Sequence, residues 1–389
     1  MNKQIESIPN PYRFSGQSIK ENSDTAYNFH KTLPGYLPTP LLNLRHFAQK
    51  IGIGDCYIKD ESQRLGLNAF KVLGASYAMA EEIKKYVPEG QSNLSFESIK
   101  SHKTSIKDLT FVTATDGNHG RAVAWCAEQY GCRAVVFMPK GSSEIRLKSI
   151  LEHKAKAEIT ELNYDETVKY AESEAIKNNW VLLQDSSWPG YTEVPRNIMV
   201  GYKTMVQEFF EQTSDWPTHV IAQAGVGSFA ASIFSSFISS TKQQPKFILL
   251  EPSGAACFFN SVKVGDKKPH LTPDLNTMMA GLSCGMPSIL AWDIIVPITD
   301  IFVICEDDIA IKGMQILSQP TEGDPSIISG ESGAVPIGFL HEVATNPLYS
   351  DLKDQLQLDV SSKVLFFSTE GDTDPGLYKK YTSKAGLLK

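Results

Sequence analysis

The feature that constrains the fold of this chain most is the regular alternation of short apolar segments with longer helical ones. Residues 110–114, 134–138 and 247–251 are examples of the apolar segments, and a helical segment separates each from the next. Strands that are apolar throughout are buried on both faces, which favours helices on both faces of a mostly parallel sheet. The sequence therefore predicts an α/β protein with open, twisted parallel sheets.

The pattern assigns most of the chain to elements. Predicted strands cover 56–59, 110–114, 134–138, 157–160, 180–183, 220–223, 247–251 and 364–367. Predicted helices cover 75–86, 120–130, 144–153, 164–178 and about 191–212. Residues 1–35 are expected to form an irregular arm and 87–107 a polar surface insertion.

Composition excludes several classes of protein. The 389 residues carry a formal net charge of -7, whereas a nucleic-acid-binding protein needs a basic face. The first residues lack an apolar signal region, and no apolar run is long enough to cross a bilayer. A cytoplasmic protein is expected, of two or three domains by length.

The cysteines and histidines do not suggest a metal site. The six cysteines form no C-x-x-C pair and the eight histidines no H-E-x-x-H motif. Cys257 and Cys284 could pair if loops bring them together, but reduced thiols are favoured in cytosol.

The most informative lysine is Lys71, in the stretch 68–75 between an aromatic residue and a run of small ones. Burial disfavours the ammonium form of a lysine and lowers its pKa, which frees an amine able to form a Schiff base with a carbonyl compound. The alternative is a surface lysine that extends its stem along an amphipathic helix.

A second candidate is the loop 115–120, between a buried strand and a helix. A helix N-terminus suits a carboxylate, and the glycines permit close approach of the backbone. Asp116 would then be a carboxylate near the bound substrate. The alternative is that Asp116 or Asn118 merely caps the helix. His119 is expected to support the site rather than to catalyse.

Two further loops follow strands. Gly225, Val226, Gly227 and Ser228 precede a helix and are suited to wrap a single phosphate, although the pattern also fits a tight turn. Ser368 and Thr369 begin a polar loop whose hydroxyls can bond a cofactor ring. A shielded lysine, a phosphate loop and a carboxylate loop together indicate pyridoxal phosphate acting on an amino acid.

These motifs, in this order, resemble the fold type II pyridoxal-phosphate enzymes, which include the serine and threonine dehydratases. Residues 69–71 resemble the cofactor-lysine motif, 117–120 the substrate-carboxylate loop and 225–228 the phosphate loop. The resemblance implies two α/β domains like those of tryptophan synthase β, with the cofactor between them. It implies a small domain, 61–183, inserted into a large one made of 1–60 and 184–389. A homodimer is also implied.

Departures from the dehydratase pattern narrow the resemblance. Ala69 and Leu73 stand where dehydratases usually have Ser and Arg, and Asp116 where they have a small or hydroxylic residue. With 60–62, 188–191 and 368–374, these make the chain similar to the diaminopropionate ammonia-lyases. An acidic pocket suits the extra ammonium of 2,3-diaminopropionate, and Asp116 and Asp185 are the candidate carboxylates.

The resemblance implies a role for each candidate residue. Lys71 would remove the Cα proton of the L-isomer, and Asp116 that of the D-isomer from the other face. Thr369, or Ser368 beside it, would face the pyridine nitrogen. The remaining candidates are the cofactor contacts Phe70, Asn118, Gly225, Val226, Gly227 and Ser228, and the substrate contacts Thr115, Asp116, Gly117, Asn118, His119 and Asp185.

Three alternatives remain open at this stage. The nearest is a serine or threonine dehydratase, which would prefer serine to diaminopropionate. A cysteine-synthase-like enzyme would catalyse β-replacement and need a second nucleophile. A protein of this fold that binds a small ligand without catalysis belongs to a different class, and it would lack bound cofactor.

Overall fold

A computed structural model describes residues 4–14, 24–87, 95–238, 243–273 and 275–383. The chain divides into two compact units. The first comprises the described parts of Met1–Lys20, Thr39–Gln63 and Glu208–Lys389, and the second those of Glu21–Pro38 and Arg64–Gln207. The domain limits at 61 and 183 implied by the family resemblance stay a prediction.

The strands, in chain order, are β1 (Ile5–Pro9), β2 (Leu41–Asn43), β3 (Asp55–Asp60), β4 (Thr110–Ala114), β5 (Arg133–Met138), β6 (Lys156–Ile159), β7 (Val181–Leu182), β8 (His219–Gln223), β9 (Lys246–Pro252), β10 (Ile301–Cys305) and β11 (Lys363–Ser368). The α-helices are α1 (Asp24–His30), α2 (Arg45–Ile51), α3 (Lys71–Ile83), α4 (Phe96–Ser101), α5 (Lys103–Ile106), α6 (Asn118–Tyr130), α7 (Glu144–Leu151), α8 (Tyr164–Asn178), α9 (Glu193–Tyr202), α10 (Thr204–Gln212), α11 (Ser228–Ile238), α12 (Cys257–Val264), α13 (Ile289–Ile298), α14 (Asp307–Ser318), α15 (Glu331–Thr345), α16 (Ser350–Leu356) and α17 (Pro375–Thr382). Short 3-10 turns lie at Arg64–Gly66, Lys84–Tyr86, Ser253–Ala255, Ala280–Leu282 and Pro347–Tyr349.

The first unit is built on a mixed sheet with the strand order β1-β10-β9-β8-β11-β3-β2. Its central strands run parallel, and the strands at its two edges, β1 and β2, run antiparallel to their neighbours. Strand β8 is buried along its whole length, as expected for a strand covered on both faces. The carboxyl ends of β8 and β11 lead into the glycine loop at 225–228 and the hydroxyl loop at 368–372.

The second unit contains a smaller parallel sheet with the strand order β6-β5-β4-β7. Strand β4 is buried at every position and ends immediately before the loop at 115–120. One face of this sheet packs against α8, through a cluster of Val112, Ala114, Val135, Phe137, Ala171 and Ala175. The predicted α/β class, with helices covering mostly parallel sheets, is confirmed.

The predicted arm at 1–35 is wrong as an irregular segment, since it contains β1 and α1. Strand β1 alternates only weakly in burial and takes its conformation from backbone pairing with β10. Sequence periodicity carries little signal for such a short edge strand. Strand β10 was itself absent from the predicted elements. The polar surface insertion predicted at 87–107 is described only in part, since 88–94 lies outside the described residues. In the described part Phe96, Ile99 and Ile106 are buried, so that part is not wholly at the surface.

Two helix predictions need correction. Helix α3 begins at Lys71, earlier than the predicted 75, so this lysine occupies the first helical residue. The long helix predicted over about 191–212 is in fact two helices, α9 and α10, which meet at Lys203. There the backbone N–H of Lys203 bonds the Val200 carbonyl, three rather than four residues back, at 3.2 Å. No helix among the described residues is long and apolar enough to cross a membrane.

Candidate active site

The predicted cofactor lysine lies in the second unit and is paired with an aspartate. Lys71 Nζ lies 2.6 Å from Asp185 Oδ2, and both side chains are largely buried. The Phe70 ring lies 5.5 Å from the ammonium and packs edge-on against Tyr202. A cation at the first residue of a helix faces the positive end of the helix dipole, so the nearby carboxylate compensates for both burial and dipole.

The expected depression of the lysine pKa is wrong for this structure. Burial does lower the pKa of Lys71, but Asp185, followed by Tyr202 and Asp116, raises it by more, so the pKa lies above its ordinary value. Burial in turn raises the pKa of Asp185, yet the Lys71 ammonium lowers it to about 2. Both groups are therefore ionised at neutral pH, and the sequence pattern could not show that the shielded lysine has a carboxylate partner.

Asp185 lies three residues after the end of β7, next to a turn that is fixed by hydrogen bonds of Tyr191. The Tyr191 hydroxyl donates to the Leu182 carbonyl at 2.9 Å and accepts from the Gln184 N–H at 2.9 Å. The Gln184 side chain in turn accepts from the hydroxyl and the amide of Thr113 and Ala114 in β4. The Trp188–Tyr191 motif is therefore a turn that fixes the residues just before Asp185.

The loop at 115–120 is organised by its own threonine. The Thr115 hydroxyl accepts from the amides of Gly117 at 2.9 Å and Gly120 at 3.2 Å. Gly117 is the N-cap residue of α6 and Asn118 the first helical residue, so the bond from the Gly120 amide to the Thr115 hydroxyl caps the first turn of this helix. Asp116 is partly exposed and near enough to Lys71 to raise its pKa.

His119 is buried in the same unit and supports the backbone. Its Nε2 donates to the Leu183 carbonyl at 2.7 Å, two residues before Asp185. Burial lowers the pKa of His119, with Asp185 opposing that shift and Lys71 adding to it. Its Nδ1 has no hydrogen-bond partner among the described residues. A neutral histidine that links α6 to the Asp185 segment fits the supporting role expected for it.

The glycine loop of the first unit connects β8 to α11. A Cβ added at Gly225 would lie 3.0 Å from Cys284 Sγ, and one at Gly227 only 2.4 Å from the Phe258 ring. Gly227 also has φ +94°, a conformation that residues with a Cβ rarely adopt. Val226 and Ser228 are both buried. The loop thus presents backbone rather than side chains at a helix N-terminus, which is the arrangement that binds phosphate.

We expect Gly227→Ala to weaken cofactor binding by about tenfold or more, because the new methyl group strains the backbone and meets Phe258. Fluorescence titration of the apoenzyme with pyridoxal phosphate measures this. Gly52→Ala is the matched control, since Gly52 has φ +80° and nothing within 4 Å of its Cβ position. Equal affinities in the two variants would contradict the role of the loop.

The two candidate hydroxyls of the first unit have different surroundings. Ser368 is fully buried and donates to the Ser329 hydroxyl at 2.8 Å. The Thr369 hydroxyl accepts from Gln223 Nε2 at 3.1 Å. Gln223 Nε2 also donates to the Ser332 carbonyl at 2.8 Å. Because a carbonyl oxygen accepts hydrogen bonds only from donors, this contact fixes which end of the Gln223 amide is the nitrogen. The Thr369 O–H is consequently left to donate, and no acceptor for it is found among the described residues.

Each unit, taken by itself, offers groups that fit part of a pyridoxal phosphate. The first unit offers a backbone loop for a phosphate and, at Thr369, a hydroxyl donor for a ring nitrogen. The second offers a buried primary amine at Lys71. Gln223 and Tyr202 were missed as supporting residues, because a polar residue ending a strand and a tyrosine within a helix carry no distinctive signal. None of the six cysteines is in a disulfide, Cys257 and Cys284 included.

Comparison with known proteins agrees with this chemistry. Residues 32–343 match the family described as pyridoxal-phosphate dependent enzyme. A diaminopropionate ammonia-lyase of Salmonella typhimurium is 49% identical over 360 residues, covering 90% of this chain and 89% of that protein. That of Escherichia coli K12 is 42% identical and covers 91% and 89%. The chain belongs to the diaminopropionate ammonia-lyase family.

Solved structures of this ammonia-lyase family share the fold. The holo diaminopropionate ammonia-lyase of Escherichia coli superposes with a TM-score of 0.91 at 39% identity, covering 98% of this chain and 97% of that one. The same enzyme has been solved with D-serine, with a TM-score of 0.91, 39% identity and the same coverage of both chains. The resemblance read from the sequence is confirmed, as is pyridoxal phosphate as the cofactor of the family.

Proposed function

We propose that this chain eliminates ammonia from D- and L-2,3-diaminopropionate, giving aminoacrylate and then pyruvate with a second ammonia. One observation carries the choice of substrate: the Lys71 ammonium pairs with the Asp185 carboxylate at 2.6 Å, and a second carboxylate, Asp116, also raises the pKa of this lysine. A serine-binding pocket needs no such acidity, whereas a second ammonium on the substrate requires an anionic partner. Family membership supports the same choice.

Pyridoxal phosphate, when bound, supplies an electron sink that stabilises negative charge at the substrate Cα. Lys71 would hold the cofactor and Gly225–Ser228 its phosphate. Asn118, at the first residue of α6, would bond the ring hydroxyl, and Phe70 would pack beside the ring. The glycine-bounded segment 117–120 would receive the substrate carboxylate at the start of α6.

The protein's own groups would then carry the protons. The amine of Lys71, once it is neutral, is a base for the Cα proton of the L-isomer. Asp116 is the base on the opposite face and serves the D-isomer. Asp185 holds the β-ammonium, and its low pKa keeps it anionic for that purpose.

Thr369 is our choice for the hydroxyl that faces the pyridine nitrogen. Its O–H remains available because Gln223 donates to the same oxygen, whereas Ser368 is engaged with Ser329. A neutral hydroxyl donor leaves the ring nitrogen largely unprotonated, which favours elimination over transamination or racemisation.

Pyruvate release from cofactor-loaded protein, measured separately with D-diaminopropionate, L-diaminopropionate and L-serine, tests the proposal. Strong turnover of both diaminopropionate isomers with weak serine turnover is expected. Serine as the best substrate would instead indicate a dehydratase. A protein that retains no cofactor and releases no pyruvate would belong to the binding class.

The two-face assignment gives its own prediction. Asp116→Asn should reduce kcat for the D-isomer by about 10²-fold, the size of a general-base contribution, with a much smaller effect on the L-isomer. Because both rates come from one preparation, misfolding would lower them together. Equal loss of both isomers would contradict the role of Asp116 as a base.

We also propose a cytoplasmic homodimer. The homodimer rests on the family resemblance, and the location on the six cysteines, none of which is in a disulfide, as is usual in a reducing compartment. Sedimentation velocity of the holoenzyme tests the oligomeric state, and fractionation of cells that express the full chain tests the location.

A further inference from the structure

Arg146 is a buried arginine beside the proposed D-face base. It lies on α7 with 7% of its surface exposed, and its Nη1 is 3.6 Å from Asp116 Oδ2. A guanidinium cannot give up its charge in a protein, so burying one is costly unless an anion compensates. Asp116 provides that anion.

The Arg146 side chain packs against the loop at 115–120, at a position where only a glycine leaves room for it. A Cβ at Gly117 would lie 2.8 Å from the Arg146 Cδ and 3.2 Å from its Cβ and Cγ. Gly117 has φ +152°, so its conformation also favours glycine. The Arg146 stem therefore lies directly across the residue that follows Asp116, and the packing of the stem fixes the direction of the guanidinium.

The distance between the two charges matters for catalysis. A direct hydrogen bond between guanidinium and carboxylate is about 2.7–2.9 Å long, often in a bidentate pair. The 3.6 Å between Arg146 Nη1 and Asp116 Oδ2 exceeds the length of a direct hydrogen bond, so these two atoms interact electrostatically. An oxygen held in this way is oriented by the neighbouring charge and is still able to accept a proton.

We propose that Arg146 is the positioning residue for Asp116 and thereby sets the rate on the D-isomer specifically. The inference rests on the role proposed above for Asp116. Lys71, the base proposed for the L-isomer, is paired with Asp185 instead. Loss of the guanidinium should therefore separate the two isomers kinetically.

The test compares Arg146→Met, which keeps an unbranched stem over Gly117, with Arg146→Lys, which keeps the charge. We expect Arg146→Met to lower kcat for the D-isomer about tenfold or more, a fraction of a full general-base effect. kcat for the L-isomer and both KM values should change by less than about threefold, within ordinary mutational scatter. Arg146→Lys should recover part of the D-isomer rate.

Two controls accompany these rates. Lys148→Met removes an exposed cation from the same helix and should leave the ratio of D to L rates unchanged. The affinity of the apoenzyme for pyridoxal phosphate, measured by fluorescence titration, should match that of the unmodified protein in every variant. This second measurement does not depend on turnover.

Several results would overturn the inference. A rise in KM for both isomers would make Arg146 a ligand of the substrate carboxylate, and an equal fall in both kcat values would make its role structural. If Arg146→Met fails to fold, an unchanged ratio of D to L rates in Arg146→Lys overturns the inference.

The Asp116 variant separates the two proposals. If Asp116→Asn spares the D-isomer, the proposed role of Asp116 fails. If Asp116→Asn abolishes D-isomer turnover while Arg146→Met does not affect it, the inference about Arg146 fails alone.

Discussion

Replacing Lys71 with alanine is expected to lower kcat for both diaminopropionate isomers by about 10³-fold or more. The variant loses the amine that would hold the cofactor, together with the base for one isomer, and a general base alone contributes about 10²–10⁴-fold. Asp185 also loses its ammonium partner, which lies 2.6 Å away. Pyruvate release gives the rates.

Borohydride reduction followed by peptide mass spectrometry provides an independent measurement. In the unmodified holoenzyme the cofactor mass should be fixed on the peptide that contains Lys71, and in Lys71→Ala that mass should be absent. Lys84→Ala is the control, because Lys84 lies just beyond the same helix and pairs with the neighbouring Glu81. Activity of Lys71→Ala above about a tenth of the original would rule out the assignment, given the size of the effect expected.

The second large effect is expected for Asp185→Asn. Removing one partner of a buried ion pair leaves the other charge uncompensated, which costs about 3 kcal/mol of unfolding free energy. Denaturant titration of the apoenzyme at neutral pH measures this. Asp108→Asn breaks the exposed pair with Arg133 and should cost less than about 0.5 kcal/mol.

The stability lost in Asp185→Asn should depend on pH, and the pKa shifts fix the direction of that dependence. The folded pKa of Asp185 is lowered from 3.8 to about 2, so its contribution to stability is present above pH 3.8 and is lost as the pH falls through about 2. Lys71 has a raised pKa, so its contribution is complete below about pH 10.5 and is lost only as the pH rises from there through the higher folded pKa. The stability gap between Asp185→Asn and the original protein should therefore narrow at acid pH. A gap that is unchanged at pH 2 would contradict the ion pair.

Asp185→Asn should also change the chemistry of the lysine. With the carboxylate absent, the effect of burial is opposed only by the weaker effects of Tyr202 and Asp116, so the pKa of Lys71 should be lower than in the original protein. The rate at which an acylating reagent modifies Lys71 in the apoenzyme, followed against pH by mass spectrometry, should then rise at lower pH than in the original protein. Turnover should nevertheless fall, because the proposed partner of the β-ammonium is missing.

Periodicity predicted the parallel core of each unit well. Strand β4 was predicted at its observed limits, and β5, β8 and β9 within one residue of theirs. Such strands are buried on both faces, so the sequence itself records their burial. The edge strand β1 was missed because its neighbour β10, nearly 300 residues along the chain, supplies its hydrogen bonds. Local patterns carry no information about a partner at that distance.

The candidate residues were chosen by residue type and by their position after strands. Parallel strands bring their carboxyl ends to one edge of a sheet, so a residue's place in the chain indicates its place at that edge. This is why Asp116, Asp185 and the glycine loop could be chosen as candidates from the sequence, whereas Lys71 was chosen from its neighbours in the stretch 68–75. Their roles stay proposals until the variants above are measured.

The sequence by itself determined the fold class, the family and the residue types available for chemistry. Burial pattern and loop position follow from the local order of apolar, polar and turn-forming residues, which the sequence shows directly. Only the tertiary structure decided the charge state of Lys71, since its pKa depends on Asp185, 114 residues away along the chain. Tertiary structure also decided that Thr369, rather than Ser368, has a hydroxyl free to donate, and it brought Arg146 to Asp116. Electrostatic interactions and hydrogen bonds depend on distances in space, and sequence spacing does not fix those distances.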